Sequence, residues 1–325
     1  MGRKRDGLVP IGKVLSELGG PVKAICEASP QALHHFTRFD QVDQLVRASE
    51  AEPDLGFMAR LMMLCTLPRT NPGNRLQYKR VNGPFKLGIT AGIDNKLPFG
   101  NIPRLLLAWV ATEAVRTQSR ELVLGSSLSE FMRKLGMQDD SGSPRGDRLR
   151  LRNQMRRLFS ASVELVYEDE HSKRFVASRI ADRGELWWDP KHPDEPMLWD
   201  SKIYLGEAFF NEITHHPVPL DMNTLKALKR SSLGLDLYMW LTYRTFSLKC
   251  PIRLSWKQLY CQFGVDPAKA SDKRTVDAFR TKCLRELKKI KLAWTDLNYV
   301  TAWGGLILSP SPPAIASAEQ RGLVN

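Results

Sequence analysis

Residues 101–165 and 224–308 repeat one order of local signals, which restricts the chain to two copies of a single small architecture. Each copy opens on an apolar helix carrying Leu and Trp, over 102–109 in the first and 233–240 in the second, with Trp109 and Trp240 as counterparts. A short apolar stretch follows (122–124 and 252–254), then a compact helix ending at Leu135-Gly136-Met137 or Phe263-Gly264-Val265. A polar turn leads into a strongly basic helix, and β-prone residues close the unit. The copies lie about 130 residues apart, a domain-sized period rather than that of a solenoid. Helix, short strand, helix, turn, basic helix, hairpin is the order of a winged helix-turn-helix. The expected fold is α+β and mainly helical: two tandem winged helix-turn-helix domains with β-hairpin wings, an arrangement that suits a long stretch of duplex DNA.

Bulk properties agree with that expectation. A length of 325 residues fits two or three domains, and 42% apolar residues suffice for ordinary cores. The net charge of +13 favours nucleic acid or an anionic membrane surface by electrostatics alone. The densest apolar run, 57–67, is interrupted by Arg60 and falls short of the ~20 residues a spanning helix needs. The basic start lacks a following apolar region, so no secretory signal and no membrane partner are expected. Five cysteines without a C-x-x-C pair suit reduced thiols in a cytosol.

Organisation is read from breakers and composition. Residues 1–55 form a basic, helical N-terminal appendage; 56–186 the first winged-helix domain; and 187–218 a linker with an aromatic, Pro-rich start. Residues 219–308 form the second winged-helix domain, the main DNA reader, and 309–325 a Ser/Pro/Ala-rich flexible tail. A helix is expected over 57–65 and strands over 76–81 and 85–90.

The second basic helix, 274–290, is the sharpest signal. Val276, Phe279, Cys283, Leu284, Leu287 and Ile290 make one stripe at helical period. Arg274, Ala278, Thr281, Lys282, Arg285 and Lys289 fall on the opposite face, with Lys288 toward the flank. A recognition helix needs this division: one face locks to a core while the other offers donors to bases and phosphates. Arg280 sits near the apolar edge and is expected to snorkel or pair structurally, and Cys283 to be a small core residue.

The first basic helix, 147–162, repeats the plan. Leu151, Met155, Leu158 and Phe159 form the stripe, and Arg150, Asn153, Arg156 and Arg157 face away. Leu149, also outward, suits a protein contact as well as DNA. A basic helix can equally be a merely solvated face, but two in matching places weigh against that. The wings are expected at 163–167 with 174–180, where Lys173, Arg174 and Arg179 would reach phosphates or a minor groove, and at 292–294 with 306–308, nearly uncharged and suited to packing.

Catalytic chemistry finds no ligand set. There is no phosphate-binding G-x-x-x-x-G-K-S/T loop, and the adjacent pairs His34-His35 and His215-His216 point to different sides of any regular element. The acidic pairs Asp139-Asp140 and Asp194-Glu195 read as solvated turns. No metal, cofactor or enzymatic role is expected.

Residues 97–117, 124–137, 219–244 and 304–313 resemble the hallmark segments of RepA-type plasmid replication initiators of bacteria, a likeness covering roughly 55–313. The resemblance implies tandem winged helices binding direct repeats (iterons) at a plasmid origin, with Arg274, Ala278, Thr281, Lys282 and Arg285 as recognition positions. Arg150, Asn153, Arg156 and Arg157 would be the first module's counterparts. It further implies a first module that adds DNA contacts as a monomer or forms a dimer repressing the initiator's own gene, help in opening the origin, and recruitment of the host initiator and replicative helicase. The alternative is a tandem winged-helix transcriptional regulator acting on an inverted repeat as a symmetric dimer.

Overall fold

The computed structural model describes residues 30–92, 94–137, 146–186 and 200–315. The expected turn at 139–144, the Pro-rich stretch that opens the expected linker, both acidic pairs, Cys26 and the end of the tail lie outside them. Helix α1 (Pro30–Glu50) is followed by β1 (Leu55–Ala59), α2 (Arg60–Leu64), β2 (Gln77–Asn82) and β3 (Phe85–Thr90). The first repeat contains α3 (Ile102–Thr117), β4 (Glu121–Gly125), α4 (Leu128–Lys134), α5 (Asp147–Phe159), β5 (Ser162–Glu168), β6 (Lys173–Arg179), β7 (Ala181–Glu185) and β8 (Ser201–Leu205). Helix α6 (Glu207–His215), β9 (Pro217–Asp221) and α7 (Met222–Ala227) lead to the second repeat. That repeat is α8 (Ser232–Ser247), β10 (Ile252–Ser255), α9 (Trp256–Phe263), a 3-10 turn (Pro267–Ser271), α10 (Lys273–Ala293), β11 (Tyr299–Ala302) and β12 (Gly305–Leu308).

The duplication is visible in packing. Helices α3 and α8 are apolar nearly all round and are buried along most of their length, as such a pattern requires. The Trp109 ring meets Phe131 of α4 edge-on at 4.9 Å, and Trp240 meets Phe263 of α9 at 5.4 Å. Ser127 and Ser255 cap the two compact helices by accepting from the backbone N–H three residues on, and Gln258 completes a capping box in the second. The short strands head sheets of the same order, β4-β8-β7 and β10-β12-β11, with Leu122 opposite Ile203 and Leu254 opposite Leu306.

Several boundaries differ from expectation. The hairpin β5–β6 does not join β4; it extends β2–β3 into a four-stranded sheet β2-β3-β5-β6. The strand that pairs with β4 is β8, inside the segment expected to be a linker. Residues 57–65 are not one helix: 57–59 belong to β1, which pairs with β9, Phe57 opposite Pro219. The close approach there requires Gly56, where a Cβ would lie 2.4 Å from Met222 Cγ. Residues 292–294 end α10 instead of starting a wing, because Trp294 packs edge-on against buried Tyr238 at 6.4 Å. Residues 309–315 fold back: Trp294 Nε1 donates to the Pro312 carbonyl and Ile315 is buried.

One continuous core runs through both repeats. A buried ion pair clamps the two central helices: Arg104 of α3 donates Nε and Nη2 to the two carboxylate oxygens of Asp236 of α8 at 2.6 and 2.7 Å. Its remaining N–H groups reach the carbonyls of Leu67, Pro68 and Gly100, so all five donors of the guanidinium are used. Buried Arg80 of β2 likewise donates to the carbonyls of Cys261 and Gly264 at the end of α9. Helix α1, expected as part of an appendage, packs against α10 and α7, with Leu45 buried, Gln41 Nε2 donating to the Ala227 carbonyl and Asp40 paired with Arg230.

Candidate nucleic-acid interface

Helix α10 is set in place by its buried side. Phe279, Cys283, Leu287 and Ile290 are buried, while Val276 and Leu284 pack at the margin. Phe279 meets Tyr260 of α9 edge-on at 5.4 Å. Burial pushes the Cys283 thiol up to about 12, which makes it a neutral packing group. The helix starts at Asp272, which accepts from the Arg274 N–H and the Thr275 hydroxyl. The Thr275 bond, ahead of the others, holds the Asp272 carboxyl below its usual range, and the negative charge suits a helix N-terminus.

The opposite face is open. Arg274, Ala278, Thr281, Lys282, Arg285 and Lys288 are exposed, and Lys289 is partly covered. Asp277, Arg280, Thr281, Leu284, Arg285 and Lys288 border a shallow concavity of about 560 Å³. Glu286 is buried, and it is met from the surface by Arg285 Nε at 3.3 Å and Lys289 Nζ at 3.2 Å. Lys289 is thereby committed to an internal partner. The Arg285 side chain keeps 57% exposure and its guanidinium end remains available. Arg280 is exposed but stands over the Trp256 ring at 5.8 Å, a structural contact of the kind its position at the stripe's edge suggests.

Helix α5 offers less. Leu151, Met155 and Leu158 are buried as the stripe requires, with Gln154 accepting from the Phe99 N–H. Asn153 is exposed, and so is Leu149. Arg150 is engaged by Asp147 at 2.7 Å and faces Asn101, Arg156 is engaged by Asp94 at 2.8 Å, and Arg157 lies over the Phe99 ring at 5.1 Å. Burial, ahead of the opposing pull of Asp94, lowers the Arg157 pKa. Exposed pairs of this kind hold by only ~0–1 kcal/mol, so phosphates can replace the partners of Arg150 and Arg156 at small cost. Lys173, Arg174 and Arg179 are exposed on β6, an edge strand of the four-stranded sheet and not of the sheet headed by β4.

Other cations carry no sequence signal of their own. Arg253 on β10 and Lys257 on α9 are exposed beside the β11–β12 turn, and Arg253 donates to the Trp303 carbonyl at 2.6 Å. Arg183 of β7 stacks on Tyr204 of β8 at 3.9 Å, in the sheet whose order matches that of the second repeat. An exposed arginine near an aromatic is a signal only once the pairing of these strands is known. His215 Nδ1 lies 2.6 Å from the Asn211 carbonyl, a local helix contact. Among the described residues, no group of three His, Cys, Asp or Glu is placed to hold a metal, and no helix is long and apolar enough to cross a membrane.

Residues 97–258 match the sequence profile of the family described as plasmid encoded RepA protein. No curated protein sequence matches the chain. A crystal structure of domains 2 and 3 of RctB is similar at 15% identity and a TM-score of 0.49, covering 78% of this chain and 96% of that one. A second RctB domain 2–3 structure is similar at 14% identity and a TM-score of 0.43, covering 75% and 92%.

Proposed function

This chain belongs, through residues 97–258, to the plasmid encoded RepA proteins, and on that premise we propose that it is a non-enzymatic initiator of plasmid replication that binds direct repeats in origin DNA. The observation that carries the reading is α10: Phe279, Cys283, Leu287 and Ile290 bury one side while Arg274, Thr281, Lys282, Arg285 and Lys288 stand exposed on the other. In this reading each repeat is a winged helix-turn-helix, which the shared sheet orders β4-β8-β7 and β10-β12-β11 support. The second reads sequence through α10, and the first adds phosphate contacts through Arg150, Asn153 and Arg156. The net charge of +13 supplies the sequence-independent part of affinity.

The proposal extends to function in the cytoplasm, dimerisation with repression of the chain's own gene, help in opening the origin, and recruitment of host initiator and replicative helicase. These rest on the family alone. The test of the DNA reading is the double variant Lys282→Ala/Arg285→Ala, titrated on the DNA flanking the chain's own gene at several salt concentrations. Neither residue belongs to the apolar stripe, and Lys289 still meets buried Glu286 when Arg285 is removed, so the fold is retained. Removing one cation from a phosphate lowers the slope of log K against log salt by about 0.9. A slope flatter by up to about 2, with loss of sequence preference, is therefore expected. Unchanged specific affinity at fixed salt rules out α10 as the reading helix.

A further inference from the structure

The β11–β12 hairpin ends in Trp303, which is 94% exposed, the largest exposure among the large apolar side chains of the described residues. Its backbone is firmly held. Ala302 pairs with Gly305, leaving Trp303 and Gly304 as a two-residue turn, and Gly304 takes φ +80°, a conformation that suits glycine. The Trp303 carbonyl accepts from Arg253 Nη2 at 2.6 Å, and the Gly304 carbonyl accepts from the Trp256 N–H at 3.2 Å. A fixed turn thus presents an indole to water, although this side chain carries one of the largest apolar surfaces available for burial.

The turn is tied to the proposed DNA-reading helix. Trp256, whose N–H holds Gly304, has Arg280 of α10 over its ring, and Arg280 borders the same concavity as Thr281, Arg285 and Lys288. Arg253, whose guanidinium holds the Trp303 carbonyl, and Lys257, next to Trp256 in the chain, are both exposed, so the turn is anchored in a segment that carries cations suited to phosphates. An indole beside phosphate-binding charge is equipped to stack on the face of a nucleobase, and wedges of this kind unstack base steps and kink a duplex.

Resting on the reading of α10 as a duplex-binding helix, we propose that Trp303 is a base-stacking wedge that inserts at an unstacked step of the DNA beside the site held by α10. The ring needs no covalent chemistry; its work is to replace base–base stacking on one side of the opened step.

The test compares full-length wild type, Trp303→Ala, Trp303→Phe and Trp303→Leu on the DNA flanking the chain's own gene. Footprints give occupancy, and permanganate reactivity of thymines at matched occupancy gives unstacking. Because the side chain is almost wholly exposed, the variants should melt like wild type. The expected result is permanganate-reactive thymines next to the wild-type footprint. Trp303→Ala should bind roughly five- to 150-fold more weakly and lose that reactivity, as loss of one aromatic–base stack implies. Trp303→Phe should keep most of both and Trp303→Leu should not. Wild-type binding and reactivity in Trp303→Ala overturn the wedge while leaving the DNA reading intact. So does a defect confined to self-association, which would make the turn a protein contact, or full rescue by Leu. A wild-type protein without a footprint overturns the DNA reading and the wedge with it.

Discussion

Replacing Asp236 with alanine leaves the Arg104 guanidinium in a site where both side chains are only 2% exposed, with two N–H groups facing no acceptor. The three donors aimed at Leu67, Pro68 and Gly100 keep their carbonyls, so the arginine has no reason to leave. Each unsatisfied buried donor costs ~1–3 kcal/mol, and breaking a buried pair by removing one partner costs ~3–5 kcal/mol. Two such donors amount to ~2–6 kcal/mol, a range that contains the ~3–5 kcal/mol of the broken pair, so a destabilisation of ~3–5 kcal/mol is expected. At ~2.1 cal/mol/K of unfolding entropy per residue, 1 kcal/mol moves the Tm of a 325-residue chain by about 1.5 °C, so Tm should fall by roughly 4–7 °C. The pair joins α3 to α8, so the variant should also separate the unfolding of the two repeats. The assay is urea and thermal denaturation followed in parallel by far-UV circular dichroism and Trp fluorescence. Arg104→Met/Asp236→Leu should be more stable than Asp236→Ala, because it leaves no unpaired charge. Asp236→Ala within about 1 kcal/mol of wild type, with one coincident transition, would refute the clamp.

Two further outcomes follow from packing. Burial holds the thiols of Cys65 and Cys283 at about 12, whereas Cys250 is exposed, so at about pH 8 a thiol reagent should label Cys250 and leave Cys65 and Cys283 silent until denaturant is added. Rapid labelling of either buried thiol in the native protein contradicts the core assignment. Removing residues 1–50 strips Leu45 and Gln41 from α10 and α7, so it should cost ~2–5 kcal/mol, as loss of a buried Leu side chain does, and weaken DNA binding through α10. A truncated chain with unchanged Tm and binding would return α1 to the status of a detachable appendage.

The helical half of the fold is legible because its signals are local. The stripe of α10 runs unbroken from Val276 to Ile290, and the Trp109–Phe131 and Trp240–Phe263 pairs arise from two segments with the same order of residues. The strands are less legible because their partners are remote. β1 reads as helix in an apolar run that also contains α2, and only β9, far along the chain, makes it a strand. β8 sits beyond a Pro-rich stretch, so nothing nearby identifies it as the partner of β4. Trp294 and Trp303 are both aromatic residues near a hairpin; packing on Tyr238 buries one, and the turn geometry exposes the other. At the interface, the period of α10 alone separates its buried face from its open one. The partners of Arg156 and Arg157, and the second contact of Arg150, depend instead on residues 94–101, which the sequence does not align with α5.

The most direct measurement is a footprint of the full-length protein on the DNA flanking its own gene at a stated salt concentration. A replication initiator that reads direct repeats through α10 predicts evenly spaced protection, head to tail, at intervals matching whole helical turns. Protection of a single inverted repeat over the promoter, with no repeated sites elsewhere, would contradict that account and identify a symmetric repressor instead.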